Sequence, residues 1–257
     1  MTSTVFAYIL SSSASPDHVS CVVPWRVDDN EIFFGPCKKR LRAELKKKYL
    51  GDLDEVDVDK EELFIIGFNG ANAEKERKIV WVGKIKKLMT FKKAFEVMAN
   101  NEKYNSLFNN AYSPCNLLPV FDGKGSHCGY QIRGNEHKKG GAWLTDFSSK
   151  PNKEFDKNQE KYFFSDRELK DRDVCFFLEN LHFAKHSKGI DINIEILECI
   201  QNAQLQNNDV DAYNVFGKTR NGKAKGLAGG YLKIENSNAC ELIDCILKIS
   251  NRNENNS

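Results

Sequence analysis

The chain has 257 residues, with 38 Lys and Arg against 36 Asp and Glu, for a formal net charge of +2 at pH 7. That near balance excludes a histone-like or wholly basic nucleic-acid coat. Hydrophobic residues at 40% and charged residues at 29% give enough apolar content to bury one substantial core or two small ones. No apolar run approaches the roughly 20 residues that span a bilayer. The N-terminal apolar stretch, Val5 to Leu10, is too short for a signal-peptide core and has no basic residues before it. The expectation is a soluble, cytoplasmic chain with no membrane partner. Eight cysteines without a C-x-x-C pair weigh against zinc ribbons and thioredoxin-like sites and predict reduced thiols. Cys21, Cys175, Cys199 and Cys245 sit in apolar runs, where Cys acts as a small hydrophobe.

In chain order, Thr4 to Leu10 reads as a strand, Ser11 to Pro16 as a turn and Val19 to Val23 as a second strand. Trp25 to Gly35 reads as a loop. Cys37 to Leu50 reads as a helix, with Leu41, Leu45 and Tyr49 as an i, i+4, i+8 stripe. It carries seven basic residues and one acid, and Gly51 stops it. Asp52 to Glu62 then holds seven acids and one base, which reads as a solvated loop. Glu62 to Phe68 and Ile79 to Ile85 read as antiparallel neighbouring strands. Thr90 is placed to N-cap a helix over Phe91 to Ala99.

Asn100 to Pro151 reads as a long irregular insertion, rich in glycine and containing His127, His137 and Trp143. Such segments are often functional. Strands follow at Lys161 to Asp166, Val174 to Leu178 and Tyr231 to Ile234, with helices over Ile190 to Ala203 and Ala239 to Ile249. Asn251 to Ser257 reads as a disordered tail. These elements predict one α+β domain over residues 1–250: a mixed, largely antiparallel sheet or partly open barrel with flanking helices.

Several groups carry chemistry. Asp122, His127 and His137 share the glycine-rich segment and offer an acid–base couple, although Asp122-Gly123 also fits a plain turn. Gly217 to Lys223 has P-loop spacing through its Lys, but Ala224 stands where Ser or Thr should bind Mg²⁺. The bland reading is a basic, glycine-rich loop, with Lys218 and Lys223 available to phosphate. His182 and His186, four apart, would share a helix face. Cys115, His127, Cys128 and His137 match no zinc spacing, so neither a metal nor a cofactor is expected. On the helix from residue 38, Lys38, Arg40 and Arg42 are candidates for phosphate contact, although a charge run is most often a solvated face. Trp25, Phe68, Trp81 and Trp143 are aromatics able to stack on a base, and core packing is the ordinary role for Trp81. Tyr130 and Arg133 complete the candidate nucleic-acid-binding set.

The order of these pieces resembles the second class of the nucleotide modification associated domain proteins. The resemblance rests on Cys37-Lys38-Lys39-Arg40-Leu41-Arg42, on the strand Leu63 to Gly67, and on Lys78 through Trp81 and Gly83 to Met89-Thr90-Phe91. It is strongest over residues 4–100. Lys39 stands where Pro is more usual, and Asp52 to Glu62 is an insertion. The resemblance implies a setting beside bacterial or phage DNA-modification or defence systems. The first expectation is a module that recognises modified DNA or a modified nucleotide. The alternatives are an enzyme on such substrates using Asp122, His127 or His137, and a protein-interaction component that binds no nucleic acid.

Overall fold

The structure is a computed structural model. It describes residues 3–9, 24–35, 38–68, 78–105, 117–121, 124, 127–132, 155–156, 161–163, 173–184, 189–192, 194–196, 198–199, 231–235 and 237–255. The fold is α+β. Among the described residues, nine strands form an open, mixed sheet that is mostly antiparallel. The main path runs β13 (Leu232–Glu235), β1 (Ser3–Ile9), β5 (Glu62–Phe68), β6 (Lys78–Met89), β11 (Cys175–Phe183), β3 (Glu31–Phe34) and β2 (Trp25–Arg26), and β4 (Glu55–Asp57) and β12 (Ile190–Asp191) both pair with β6. A second sheet has the order β7 (Leu117–Phe121), β8 (His127–Ile132), β10 (Lys161–Phe163) and β9 (Phe155–Asp156). The chain divides into two compact units. Their segments interleave in sequence, so no single linker marks them.

Unit 1 comprises residues 1–18, 58–85 and 179–257. β1 pairs parallel to β5, with Val5 opposite Phe64, and antiparallel to β13, with Val5 opposite Ile234. β5 continues antiparallel into β6. The near-continuous apolar sequence of β5, ELFIIGF, suits a strand covered on both faces, and every residue after Glu62 is buried. Its core joins Val5, Phe64, Ile66, Ile79 and Val82 from the sheet to Leu242, Ile243 and Ile246 of α3 (Ser237–Asn255). Gly67 pairs with Trp81 across β5 and β6. The Trp81 indole occupies the space where a Cβ on residue 67 would project.

Unit 2 comprises residues 19–57 and 86–178. The segment expected as a loop over Trp25 to Gly35 is instead a hairpin, β2 against β3, with Trp25 opposite Phe33. The Asp28 carboxylate accepts from the backbone N–H of Asn30 and Glu31, the side-chain turn typical of Asp. α1 (Lys39–Leu45) passes into a π-helical turn, Lys46–Leu50, rather than continuing as one α-helix. Gly51 ends it at φ 58° and donates its N–H to the Lys46 carbonyl; glycine takes this left-handed conformation without a Cβ penalty. The acidic stretch after it contains β4, paired with the end of β6. α2 (Phe91–Ala99) begins where expected, with the Thr90 hydroxyl accepting from Lys93 N–H. Asp173 Oδ1 accepts from Phe91 N–H at 3.0 Å in the same first turn.

Three further expectations need correction. The stretch read as irregular from Asn100 contains β7 and β8. The helix expected from Ile190 opens instead as β12, and helical residues are described at 194–196 and 198–199. The expected disordered tail belongs to α3 as far as Asn255. Val19 to Val23 lies outside the described residues.

Candidate nucleic-acid interface

α1 and the π-helical turn separate their basic residues into two populations. Leu41, Leu45 and Leu50 are buried, and Arg42 lies beside them with no exposed surface. Arg42 Nη1 donates to the Val174 carbonyl at 3.0 Å, and its guanidinium sits 5.6 Å from the centre of the Phe91 ring. Lys46 reaches the Asp173 carbonyl at 3.5 Å. Arg40, Lys47 and Lys48 are exposed, and Lys38, at φ 58°, is half-buried.

This arrangement corrects the expectation that Arg42 meets phosphate: no part of its guanidinium reaches the surface. The signal was in the spacing. Residue 42 follows Leu41 and precedes Leu45 by three, so it flanks the buried stripe. A long side chain there is drawn inward when a carbonyl and an aromatic face are ready to receive it.

Among the aromatic candidates, Trp25 is half-buried on β2. Its Nε1 is buried without a hydrogen-bond partner among the described residues. Phe33 and Phe177 meet edge to face at 5.3 Å, Phe34 and Phe176 stack at 5.4 Å, and Tyr104 packs edge to face on Phe177. These rings pack the hairpin strand β3 against β11 and Tyr104 within unit 2. Lys103 bridges Asp28 and Glu31 at 3.0 and 3.4 Å. Its hydrogen bond holds the Asp28 carboxyl below the usual range. Burial, then Glu31, pushes the Tyr104 phenol well above its ordinary value. Trp81 is 1% exposed and meets Tyr8 edge to face at 5.9 Å, so it packs in the core of unit 1 and is closed to a base. Phe68 is likewise buried.

Asp122, Arg133, His137, Trp143, Cys115, His186, Lys218 and Lys223 lie outside the described residues. The backbones of His127, Cys128 and Tyr130 run in β8, and their side chains also lie outside the description. His182 is on strand β11, not a helix, and its Nδ1 is 3.0 Å from Ser250 Oγ. Among the described residues, no group of three His, Cys, Asp or Glu side chains is placed to hold a metal.

Sequence reasoning missed a polar network in unit 1. Cys240 on α3 donates its thiol to Glu62 Oε2 at 2.9 Å and lies 2.9 Å from Ser3 Oγ, while Lys84 meets Glu62 Oε1 at 2.8 Å. Four residues from β1, β5, β6 and α3 converge, and nothing in their sequence separation announces it. The bonds from Cys240 and Lys84 hold the Glu62 carboxyl below its ordinary range, against the opposing effect of partial burial. Burial, reinforced by Glu62, pushes the Cys240 thiol up. Because the folded-state value of Glu62 is depressed, its contribution to stability is present above the unfolded carboxyl value of about 4.3 and is lost as pH falls through the folded value. Urea midpoints of the native chain and Glu62→Gln should therefore differ by a constant amount from pH 7 to about 5. The gap should close in more acid solution. A gap that persists unchanged below pH 3 would contradict this assignment.

No helix among the described residues is long and apolar enough to cross a membrane. No protein-family model, curated protein or solved structure matches this chain.

Proposed function

We propose that this chain is a recognition module for modified nucleotides in DNA, and that the outward face of α1 and its π-helical turn meets the phosphates. The observation that carries the reading is the division of cations along that segment. Arg42 and the leucines fix the helix from inside, while Arg40, Lys47 and Lys48 stand exposed on its outer side. The acidic β4 that follows spends Asp57 on Lys87 and Glu55 on Lys93. Trp25, half-buried on the hairpin of the same unit, is the aromatic assigned to stack on an extruded base. The resemblance over residues 4–100 supports a DNA-modification setting.

The test is a titration against matched duplexes, unmodified and base-modified, at 50 and 200 mM salt, with product analysis of the same samples. Three neutralised phosphates give a log–log slope of about −2.7, so affinity should fall by about 40-fold across that range. Replacing Arg40, Lys47 and Lys48 together by Ala should flatten the slope while leaving the urea midpoint nearly unchanged. Trp25→Ala should weaken modified-duplex binding by roughly 1–3 kcal/mol and leave the slope intact. Absence of binding to every duplex would overturn the proposal, and altered DNA in the samples would transfer it to an enzyme.

A further inference from the structure

Cys199 and Cys245 form a disulfide, which corrects the expectation that both are reduced, hydrophobic thiols. The bond joins the helical residues 198–199 to α3 across a sequence separation of 46. Both cysteines are half-buried, unlike the buried Cys175. The same two elements are also held without the bond. Ile196 is fully buried in a cluster with Leu242, Ile243 and Ile246 of α3, and Arg252 pairs with Glu195 at 3.4 Å. The packed core of unit 1 therefore has its own apolar cohesion, and the disulfide adds a covalent clamp to a contact already made.

A second thiol lies on the same helix. Cys240 is five residues before Cys245, and its thiol is engaged with Glu62 and Ser3. Burial and the neighbouring carboxylate keep it protonated, and a protonated thiol is a poor attacker of disulfides. Scrambling from Cys245 to Cys240 is thus disfavoured, and the other described free thiol, Cys175, is buried.

We infer that the Cys199–Cys245 bond is a reversible, redox-sensitive clamp that sets the mobility of residues 194–196 and 198–199 on α3 while unit 1 stays folded. The reaction partner is a low-molecular-weight thiol such as glutathione. Its thiolate attacks one protein sulfur to give a mixed disulfide, and the departing protein thiolate takes a proton from water. A second glutathione thiolate then attacks the glutathione sulfur of the mixed disulfide, releasing oxidised glutathione and the second protein thiolate, which likewise takes a proton from water. Two electrons pass from two small thiols to the protein, and re-oxidation by oxidised glutathione runs the same steps backwards.

The experiment equilibrates the full chain in buffers of stepped reduced-to-oxidised glutathione ratio. Free thiols are then trapped by acid quench and alkylation, and the peptides are assigned by mass. Cys199 and Cys245 should pass together from linked to doubly alkylated within the span of those buffers, with far-ultraviolet circular dichroism unchanged. Amide exchange in peptides covering 194–199 should rise at least tenfold on reduction. Cys199→Ser in oxidising buffer should reproduce the faster exchange. The proposal is overturned if the pair stays linked in the most reducing buffer, if it is never linked, or if reduction or Cys199→Ser unfolds unit 1. It is also overturned if exchange over 194–199 does not change.

Discussion

Gly67→Ala is expected to destabilise unit 1 by about 3 kcal/mol, at the upper end of the usual cost of overpacking a filled core. A Cβ at this position would stand 2.7 Å from Trp81 Cε2 and closer still to Nε1 and Cδ1. The indole has little freedom to yield, since Trp81 is 1% exposed and already lies against Tyr8. The collision is with a side chain, so the remedy is specific. In Trp81→Leu the smaller side chain leaves a cavity, and adding Gly67→Ala places a methyl group toward that space. The double variant should be less damaged than the sum of the singles, with a coupling of about 1–2 kcal/mol. Urea unfolding of the four proteins measures it. Strict additivity would mean that the two residues do not share the space as described.

The second large effect is expected at Arg42. Arg42→Met keeps much of the apolar stem but removes the donor to the Val174 carbonyl and the cation over Phe91. The carbonyl is then left without this charged partner in a dry site, and the loss should be about 2–4 kcal/mol. Arg40→Met, two residues away on the exposed side, should change stability by no more than about 0.5 kcal/mol. If the proposed function holds, duplex binding should show the reverse order: Arg40→Met lowers the salt slope by roughly one phosphate, and Arg42→Met, under conditions where it is folded, leaves it. Equal stability losses in the two variants would contradict the inward and outward assignment.

The contrast between these neighbours shows how far the sequence can be read. Local patterns that depend on one element were legible: the apolar run of β5, its antiparallel partner β6, and Thr90 capping α2. Each is set by side-chain period or by a hydrogen bond spanning three residues. Features that depend on a distant partner were not. Arg42 reads as a surface cation until Val174, 132 residues away, supplies the carbonyl. The hairpin of Trp25–Arg26 and Glu31–Phe34 was hidden because β2 has only two residues, too few to alternate visibly. Cys199 and Cys245 sit among apolar neighbours like any core thiol, and only tertiary proximity marks them as a pair. Of the candidate interface, the basic segment was visible in sequence, but its division into anchoring and exposed cations required the fold.

The placement of β1 between β5 and β13 has a consequence for the order in which the protein is made. Unit 2 draws on residues 19–57 and 86–178, so all of it has been synthesised before residue 179 is added. Unit 1 includes β1, made before any of unit 2, yet one edge of β1 is completed only by β13, where Thr4 faces Glu235. At about 5–20 residues per second, synthesis of residues 179–257 takes roughly 4–16 s. During that interval β1 and β5 have their sequences complete while β13 and α3 are not yet available to cover them. The nascent chain therefore presents an apolar strand edge for seconds. A ribosome-associated holding factor that binds extended apolar segments would find its target at β1.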